Sequence, residues 1–396
     1  MGFYESLGVR TVINAAGALT RLGGNRVSLD VLDAMVDAAA SNVMMDELQA
    51  HAGAVIAELT GAEAGYVTAG AAAGLTLAAA ACVAGLDPAA MDQLPDTTGL
   101  KHEVVVQRGH RNAYDHAIRA AGITFVETGY LGYPGAGGTY PWQLESAITE
   151  HTAAIACPIL DTPGTLSLPE VADIAHRHDL PVIVDASAAL PPRSNLRRFI
   201  AEGADLVVYS GGKAIGGPQA SGILAGRADL VTSVALQNLD MDVRMPTWTR
   251  REQAKEGTLR GIPHHGLGRG MKVGREEIAG LITALRYYVA GDDDADHQRW
   301  RQMLDTIARP LDGIAGVRVN CQASPKQPVP LLRIELDAEQ LGYTAYDAVN
   351  ALLDGDPSVA VAESHAEHGT IIINPLVLTG DDAVIVRDRL KALFAS

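Results

Sequence analysis

The chain has 396 residues, too many for one compact core and suited to two domains, and 47% of them are apolar, enough to fill such cores. Charged residues make up 20%, which argues against disorder, and the net charge of −16 argues against nucleic-acid binding, since phosphate contacts need a basic surface. Cys82, Cys157 and Cys321 lie far apart and form no CxxC pair, no signal pattern opens the chain, and the longest small apolar run, 71–85, is short of the roughly 20 residues of a membrane span, so a soluble cytoplasmic protein is expected.

In chain order, a helix is expected from about 71 to 83, opened by Thr68-Ala-Gly-Ala-Ala-Ala-Gly74. Residues 104–107 read as a strand, 111–121 as a helix, 123–126 and 153–160 as strands, and 169–178 as a helix. Three more strands are expected at 181–185, 205–209 and 221–225. Strands alternating with helices indicate a mostly parallel sheet covered on both faces, with its ligand at the carboxyl ends of the strands. Beyond it, 276–290 reads as a helix, 291–294 as a polar break, 329–336 and 370–373 as strands and 381–394 as a terminal helix. The resulting division is an arm over 1–25, a large domain over 26–270 and a small α+β domain over 271–396.

Four groups fall where those strands end. In Tyr209-Ser-Gly-Gly-Lys-Ala214 the glycines permit a tight turn and close approach of a cofactor, and a partly desolvated Lys213 loses its proton readily and can form a Schiff base. Taken alone, the motif fits an ordinary surface lysine equally well. Asp185 closes the run Pro-Val-Ile-Val-Asp, which aims a carboxylate at the crevice, where it can keep a pyridine nitrogen protonated, ligate a metal or simply cap the strand. The helix opened by Gly70, Ala71 and Ala72 offers backbone N–H groups to a phosphate, although small residues there also serve close packing. His110 follows a strand end, where an imidazole can stack on a flat ring, shuttle protons or cap the next helix.

The order phosphate-binding turn, ring-stacking residue, strand-end Asp, strand-end Lys resembles the fold-type I pyridoxal-phosphate enzymes with the aspartate-aminotransferase-like fold. More narrowly the chain is similar to the selenocysteine-synthase-like group and its aminosugar-acid ammonia-lyases. The segments that carry this are Val12-Ile-Asn-Ala-Ala-Gly17, Ala69-Gly-Ala-Ala-Ala73, Gln107-Arg-Gly-His110, Val184-Asp-Ala-Ser187, Ser210-Gly-Gly-Lys213 and the stretch from Gly270 to Glu276. The resemblance implies that Lys213 holds pyridoxal 5′-phosphate covalently, Asp185 pairs with its ring nitrogen and His110 stacks on the ring. Gly70, Ala71, Ala72 and Ser210 would hold the phosphate, Ser187 would bond the cofactor hydroxyl or flank Lys213, and Asn14 would lie near the substrate. Because the phosphate turn carries no serine or threonine, side-chain contacts would come from Ser210 or from the loop around Thr258 of the partner subunit, in a homodimer or higher even oligomer. The tRNA-binding module of the selenium transferases does not precede Val12.

Residues 244–269 carry six basic side chains, Arg260 and Arg269 among them, against Glu252 and Glu256, together with Trp248, His264 and His265. Such a segment suits the mouth of a site for a small anionic amino-acid-like substrate, or an interface with ordinary ion pairs. Adjacent histidines without a carboxylate or cysteine pattern do not suggest a metal, and Gly135-Ala-Gly-Gly138 reads as a loop. The resemblance tilts the reaction to α,β-elimination from a 2-amino-3-hydroxy acid, an aminosugar acid or its phosphate, giving a 2-oxo acid and ammonia. A racemase or aldolase is the alternative among enzymes, and a non-catalytic cofactor-binding regulator the alternative outside them.

Overall fold

The computed structural model describes residues 2–132, 138–263, 265–324 and 327–394. By contacts the chain divides into two units, Val27–Val289 and the combination of Met1–Arg26 with Ala290–Ser396. The helix Arg275–Ala290, read from sequence as the start of the small domain, belongs with the larger unit because Ile278, Leu281, Ala284, Leu285 and Tyr288 are buried in that unit's core. In chain order the strands are β1 (Val12–Ala15), β2 (Ala64–Thr68), β3 (Glu103–Gln107), β4 (Thr124–Thr128), β5 (Thr152–Ala156), β6 (Val182–Asp185), β7 (Leu206–Ser210), β8 (Gly222–Gly226), β9 (Val317–Ser324), β10 (Gln327–Leu336), β11 (Ser358–His365) and β12 (Thr370–Ile373).

The larger unit is built on a seven-stranded sheet in the order β2-β8-β7-β6-β5-β3-β4. Strands β3 to β7 run parallel, and β8 runs antiparallel to its two neighbours, β7 and β2. The carboxyl ends of β2 to β7 therefore share one edge. Both faces are apolar: Val105, Ile155, Val184, Val207 and Ile223 enter one core, while Val104, Val106, Ala154, Ile183, Leu206 and Val208 enter the other. Each of the larger side chains contributes roughly 1.5–3 kcal/mol by leaving water. The helix Ala71–Ala84 is buried along 73–81, as a helix apolar on every side must be. The helix expected over 111–121 is limited to Asp115–Arg119. Asn112 Oδ1 accepts from Tyr114 N and Asp115 Oδ2 from Asn112 N, and such side-chain bonds compete with a helical start.

The smaller unit holds a five-stranded sheet, β1-β11-β12-β10-β9, in which only β1 and β11 pair in parallel. Leu332, Ile334, Val359, Val361, Ile371 and Ile373 share a core with Leu304, Ile307, Val349, Leu352, Val386 and Leu390 of the helices Asp293–Ala308, Ala345–Asp354 and Asp382–Phe394. The expected polar break at 291–294 contains a helix start instead. Asp292 caps it by accepting from Asp294 N and Ala295 N, and the acidic first turn suits the positive end of the helix dipole. Among the described residues no helix is long and apolar enough to cross a membrane.

Candidate active site

Each candidate group of the larger unit arrives at the ligand edge because its strand stops there. Asp185 is the last residue of β6 and pairs in register with Val208 of β7, so Asp185 and the Lys213 turn leave neighbouring strands. That turn is fixed by Gly211 N to Ser221 O (2.9 Å), Gly216 N to Lys213 O (3.0 Å) and Gly217 N to Gly211 O (2.9 Å). Burial lowers the pKa of the Lys213 amine, and the Asp185 carboxylate opposes that shift. Asp185 Oδ1 accepts from Ser187 N at 2.9 Å, which holds the carboxylate at the strand end. Packing leaves no room for a Cβ at either glycine before the lysine: at Gly211 it would lie 2.6 Å from Leu281 Cδ1, and at Gly212 it would lie 2.7 Å from Gln219 Cα.

His110 lies two strands away from Asp185, beyond β3, in the 3-10 turn Arg108–His110. It is buried, which lowers its pKa and keeps the imidazole neutral, and its Nδ1 is enclosed without a hydrogen-bond partner. On the other side of Lys213, the lateral row Ser210–Gly222–Thr68 joins β7, β8 and β2. Gly70 caps the helix Ala71–Ala84 at φ 98° and ψ 164°, a conformation open in practice to glycine alone. Space in front of Gly70 is open, since a Cβ built there meets nothing within 4 Å. Behind the turn, a Cβ at Gly222 would lie 2.6 Å from Gly70 C and 2.8 Å from Ala71 N, so β8 can carry only glycine where the turn crosses it. The sequence signal for Gly222 was absent, because nothing in Ser221-Gly-Ile-Leu-Ala225 announces which backbone it will meet.

The remaining candidates separate. In the smaller unit the Asn14 side chain is engaged in its own turn, accepting from Ala16 N and donating to Gly17 O, both at 2.9 Å. Arg269 grips Asp240 through Nε (2.9 Å) and Nη2 (2.7 Å), whereas Arg260 is 83% exposed with Asp87 at 3.9 Å. Trp248 is buried in the apolar core together with Leu259. Arg250 has no ion pair among the described residues; burial lowers its pKa, while Tyr66 and Asp46 raise it. His264 and residues 135–137 of the glycine loop lie outside the described residues. No group of three or more His, Cys, Asp or Glu side chains among the described residues could hold a metal ion.

A planar phosphorylated aldehyde fits this edge. The open space before Gly70 suits a phosphate on the helix N-terminus, the desolvated Lys213 amine suits an aldehyde, and Asp185 suits a ring nitrogen. The unpartnered, neutral His110 ring suits a flat face. A mostly parallel sheet bearing these groups in this order defines a fold-type I pyridoxal-phosphate enzyme, with pyridoxal 5′-phosphate as its expected cofactor. The family model for L-seryl-tRNA selenium transferase matches residues 12–249, and the chain belongs to that family. Over 98% of its length it is 31% identical to D-glucosaminate-6-phosphate ammonia lyase from Salmonella typhimurium, covering 97% of that protein. It is 32% identical to 5′-C-glycyluridine monooxygenase-decarboxylase from a Streptomyces species, over 98% of this chain and 91% of that one. A solved structure of D-glucosaminate-6-phosphate ammonia-lyase superposes with a TM-score of 0.82 at 30% identity, covering 100% of this chain and 98% of the other.

Proposed function

We propose that the chain is a pyridoxal-phosphate-dependent lyase that converts a 2-amino-3-hydroxy acid, an aminosugar acid or its phosphate, into a 2-oxo acid and ammonia. The observation that carries this reading is the desolvated Lys213 amine opposed by Asp185 at the sheet edge that also presents Gly70 and His110. The full-length likeness to an ammonia lyase supports elimination among the reactions open to such a site.

When bound, pyridoxal phosphate supplies a sink for the electron pair left at the substrate's α-carbon. Lys213 would hold it through Nζ, Asp185 would keep a proton at its ring nitrogen, and the neutral His110 ring would cover one face. Gly70, Ala71 and Ala72 would hold the phosphate by backbone N–H groups, with Ser210 beside them; Ser187 would flank the ring through its hydroxyl. A neutral amine at Lys213 can take the α-proton, and the same nitrogen can return a proton to the leaving hydroxyl or the β-carbon. In the net reaction the α-carbon loses its proton and the β-carbon its hydroxyl as water. The resulting enamine gains a proton at the β-carbon, and water then replaces nitrogen as ammonia leaves.

We assign the substrate's anionic group to the arginines of 244–269, and Arg250 is the one supported by partial burial without an ion pair among the described residues, ahead of Arg260 and Arg269. Asn14 stays in the reading as a substrate neighbour through its resemblance alone. The net charge of −16 supports a small-molecule substrate over a nucleic acid. A cytoplasmic location is supported by three free cysteines, and a homodimer or higher even oligomer by the helix Leu29–Ala39, whose Leu29, Leu32 and Val36 are exposed along one face.

The test is to incubate the purified protein loaded with cofactor with D- and L-2-amino-3-hydroxy acids and aminosugar acids, with and without phosphate. Release of ammonium and 2-oxo acid in equal amounts is expected. Oxygen uptake with carbon dioxide release would assign the oxidative chemistry named in the Streptomyces relative instead. Loss of optical rotation alone would assign racemisation, and aldehyde release would assign aldol cleavage.

A further inference from the structure

Gln107, the last residue of β3, is 1% exposed, yet its amide does not face a ligand. Nε2 donates to the Leu166 carbonyl at 3.1 Å, and Oε1 accepts from Leu166 N at 2.6 Å. One side chain thus satisfies both backbone groups of one residue, as a neighbouring strand would. The segment it grips leads from the end of β5 to the helix Leu168–Arg177.

That segment returns to the other end of the turn that carries His110. Thr162 Oγ1 donates to the Gly109 carbonyl at 3.1 Å, and Thr165 Oγ1 donates to Thr162 O at 2.8 Å. The approach is close enough that a Cβ on Gly109 would lie 2.9 Å from Thr162 Cγ2 and 3.0 Å from Thr165 Cγ2. The segment is braced on its far side, where Thr139 N donates to Gly164 O at 2.8 Å. Arg108, Gly109 and His110 are therefore held between Gln107, which anchors the segment, and Thr162, which the segment delivers to Gly109. Three β-to-α connections meet here at the ligand edge, and the amide of Gln107 is the most buried of the side chains that join them.

We propose that Gln107 is a positioning residue that sets the depth and tilt of the His110 imidazole at the cofactor ring, acting through Leu166 and the Thr162–Gly109 contact. The proposal rests on the reading of His110 as the residue that covers the ring. Gln107 touches no reacting atom itself. Its amide is required because it offers one donor and one acceptor at once. A carboxylate keeps the bond from Leu166 N but sets an acceptor against the Leu166 carbonyl, so the segment is pushed away. Protonated, the same carboxyl regains a donor, and burial raises a carboxyl's pKa toward the neutral range, where the change can be followed.

The experiment uses the full chain with pyridoxal phosphate and the variants Gln107→Glu, Thr162→Val, His110→Ala and the double variant Gln107→Glu/His110→Ala. Cofactor affinity and the circular dichroism of the bound cofactor's absorption band are read at pH 6 and pH 8, each relative to the parent at the same pH. At pH 8, Gln107→Glu should weaken cofactor binding by about tenfold, the scale of one lost buried hydrogen bond, and shift the dichroic band in the direction seen for His110→Ala. At pH 6 both changes should recede, and in the His110→Ala background the substitution should add little. Thr162→Val, which removes the second link without adding charge, should move the band the same way and serves if Gln107→Glu does not fold. A parent-like Gln107→Glu and Thr162→Val beside an altered His110→Ala overturn the clamp alone. Fully additive effects in the double variant overturn it as well. A parent-like His110→Ala overturns the reading of His110 and the proposal with it.

Discussion

Replacing Gly70 by alanine isolates the phosphate turn from everything else in the site. The backbone there has φ 98° and ψ 164°, in a region that residues with a Cβ avoid, and the added methyl would meet no atom within 4 Å. The cost is therefore conformational rather than steric, about 1–3 kcal/mol if the turn is kept. For a unit of this size that corresponds to a fall in Tm of roughly 2–4 °C for each kcal/mol. If the turn relaxes instead, the N–H groups of Ala71 and Ala72 leave their alignment and the loss appears in phosphate binding. The assay compares affinities for pyridoxal phosphate and pyridoxal, with Tm measured alongside. Gly70→Ala should weaken the phosphorylated form more than the unphosphorylated one, while Gly222→Ala, whose Cβ would strike Gly70 C at 2.6 Å, should cost more in Tm. Equal losses for both ligands, or a Tm and affinity like the parent's, would refute the assignment of this turn to the phosphate.

Cofactor capture by the chain should speed up as pH rises, with a midpoint below the ordinary lysine value of about 10.4, because burial lowers the Lys213 pKa and only the neutral amine attacks an aldehyde. The Asp185 charge raises that pKa, so Asp185→Asn should move the midpoint to lower pH; an upward shift measured by stopped-flow absorbance would contradict the pairing. The same variant should retain cofactor but lose roughly 100-fold or more in kcat, and near-parent turnover would make Asp185 a strand cap only. Changing Arg250, Arg260 and Arg269 singly to alanine should raise KM more than it lowers kcat, most of all at Arg250; parent-like KM values throughout would make the segment an interface feature.

The placement of several candidate residues was legible because strand ends carry them. The run Pro-Val-Ile-Val-Asp is an unbroken apolar stretch that stops at a carboxylate, and β6 stops at the same residue. β12 spans the four residues expected of it, since Thr-Ile-Ile-Ile has no competing helical reading. β2 went unread, as Ala-Gly-Tyr-Val-Thr is short and opens on two small residues, yet it delivers Gly70 to the edge. The direction of β8 could not be read either, for its sequence is equally compatible with parallel and antiparallel pairing. Nor does Val12–Ala15 reveal that it will pair with Ser358–His365, a contact across almost the whole chain that no local pattern encodes. Trp248 lies in a basic segment that suits either a substrate mouth or an interface, and nothing in its surroundings shows that a large indole gains by leaving water and sits in the core. The clamp at Gln107 escaped for a related reason: a glutamine at a strand end looks like any exposed polar residue until the segment it pairs with is seen.

Lys213 as the residue that carries the cofactor is the central claim. Borohydride reduction of the purified yellow protein, followed by peptide mass mapping, tests this directly. The account predicts a pyridoxyl adduct on the peptide containing Lys213 and no such adduct in Lys213→Ala. An adduct on Lys255 or Lys272 instead, or one that survives the removal of Lys213, would contradict it.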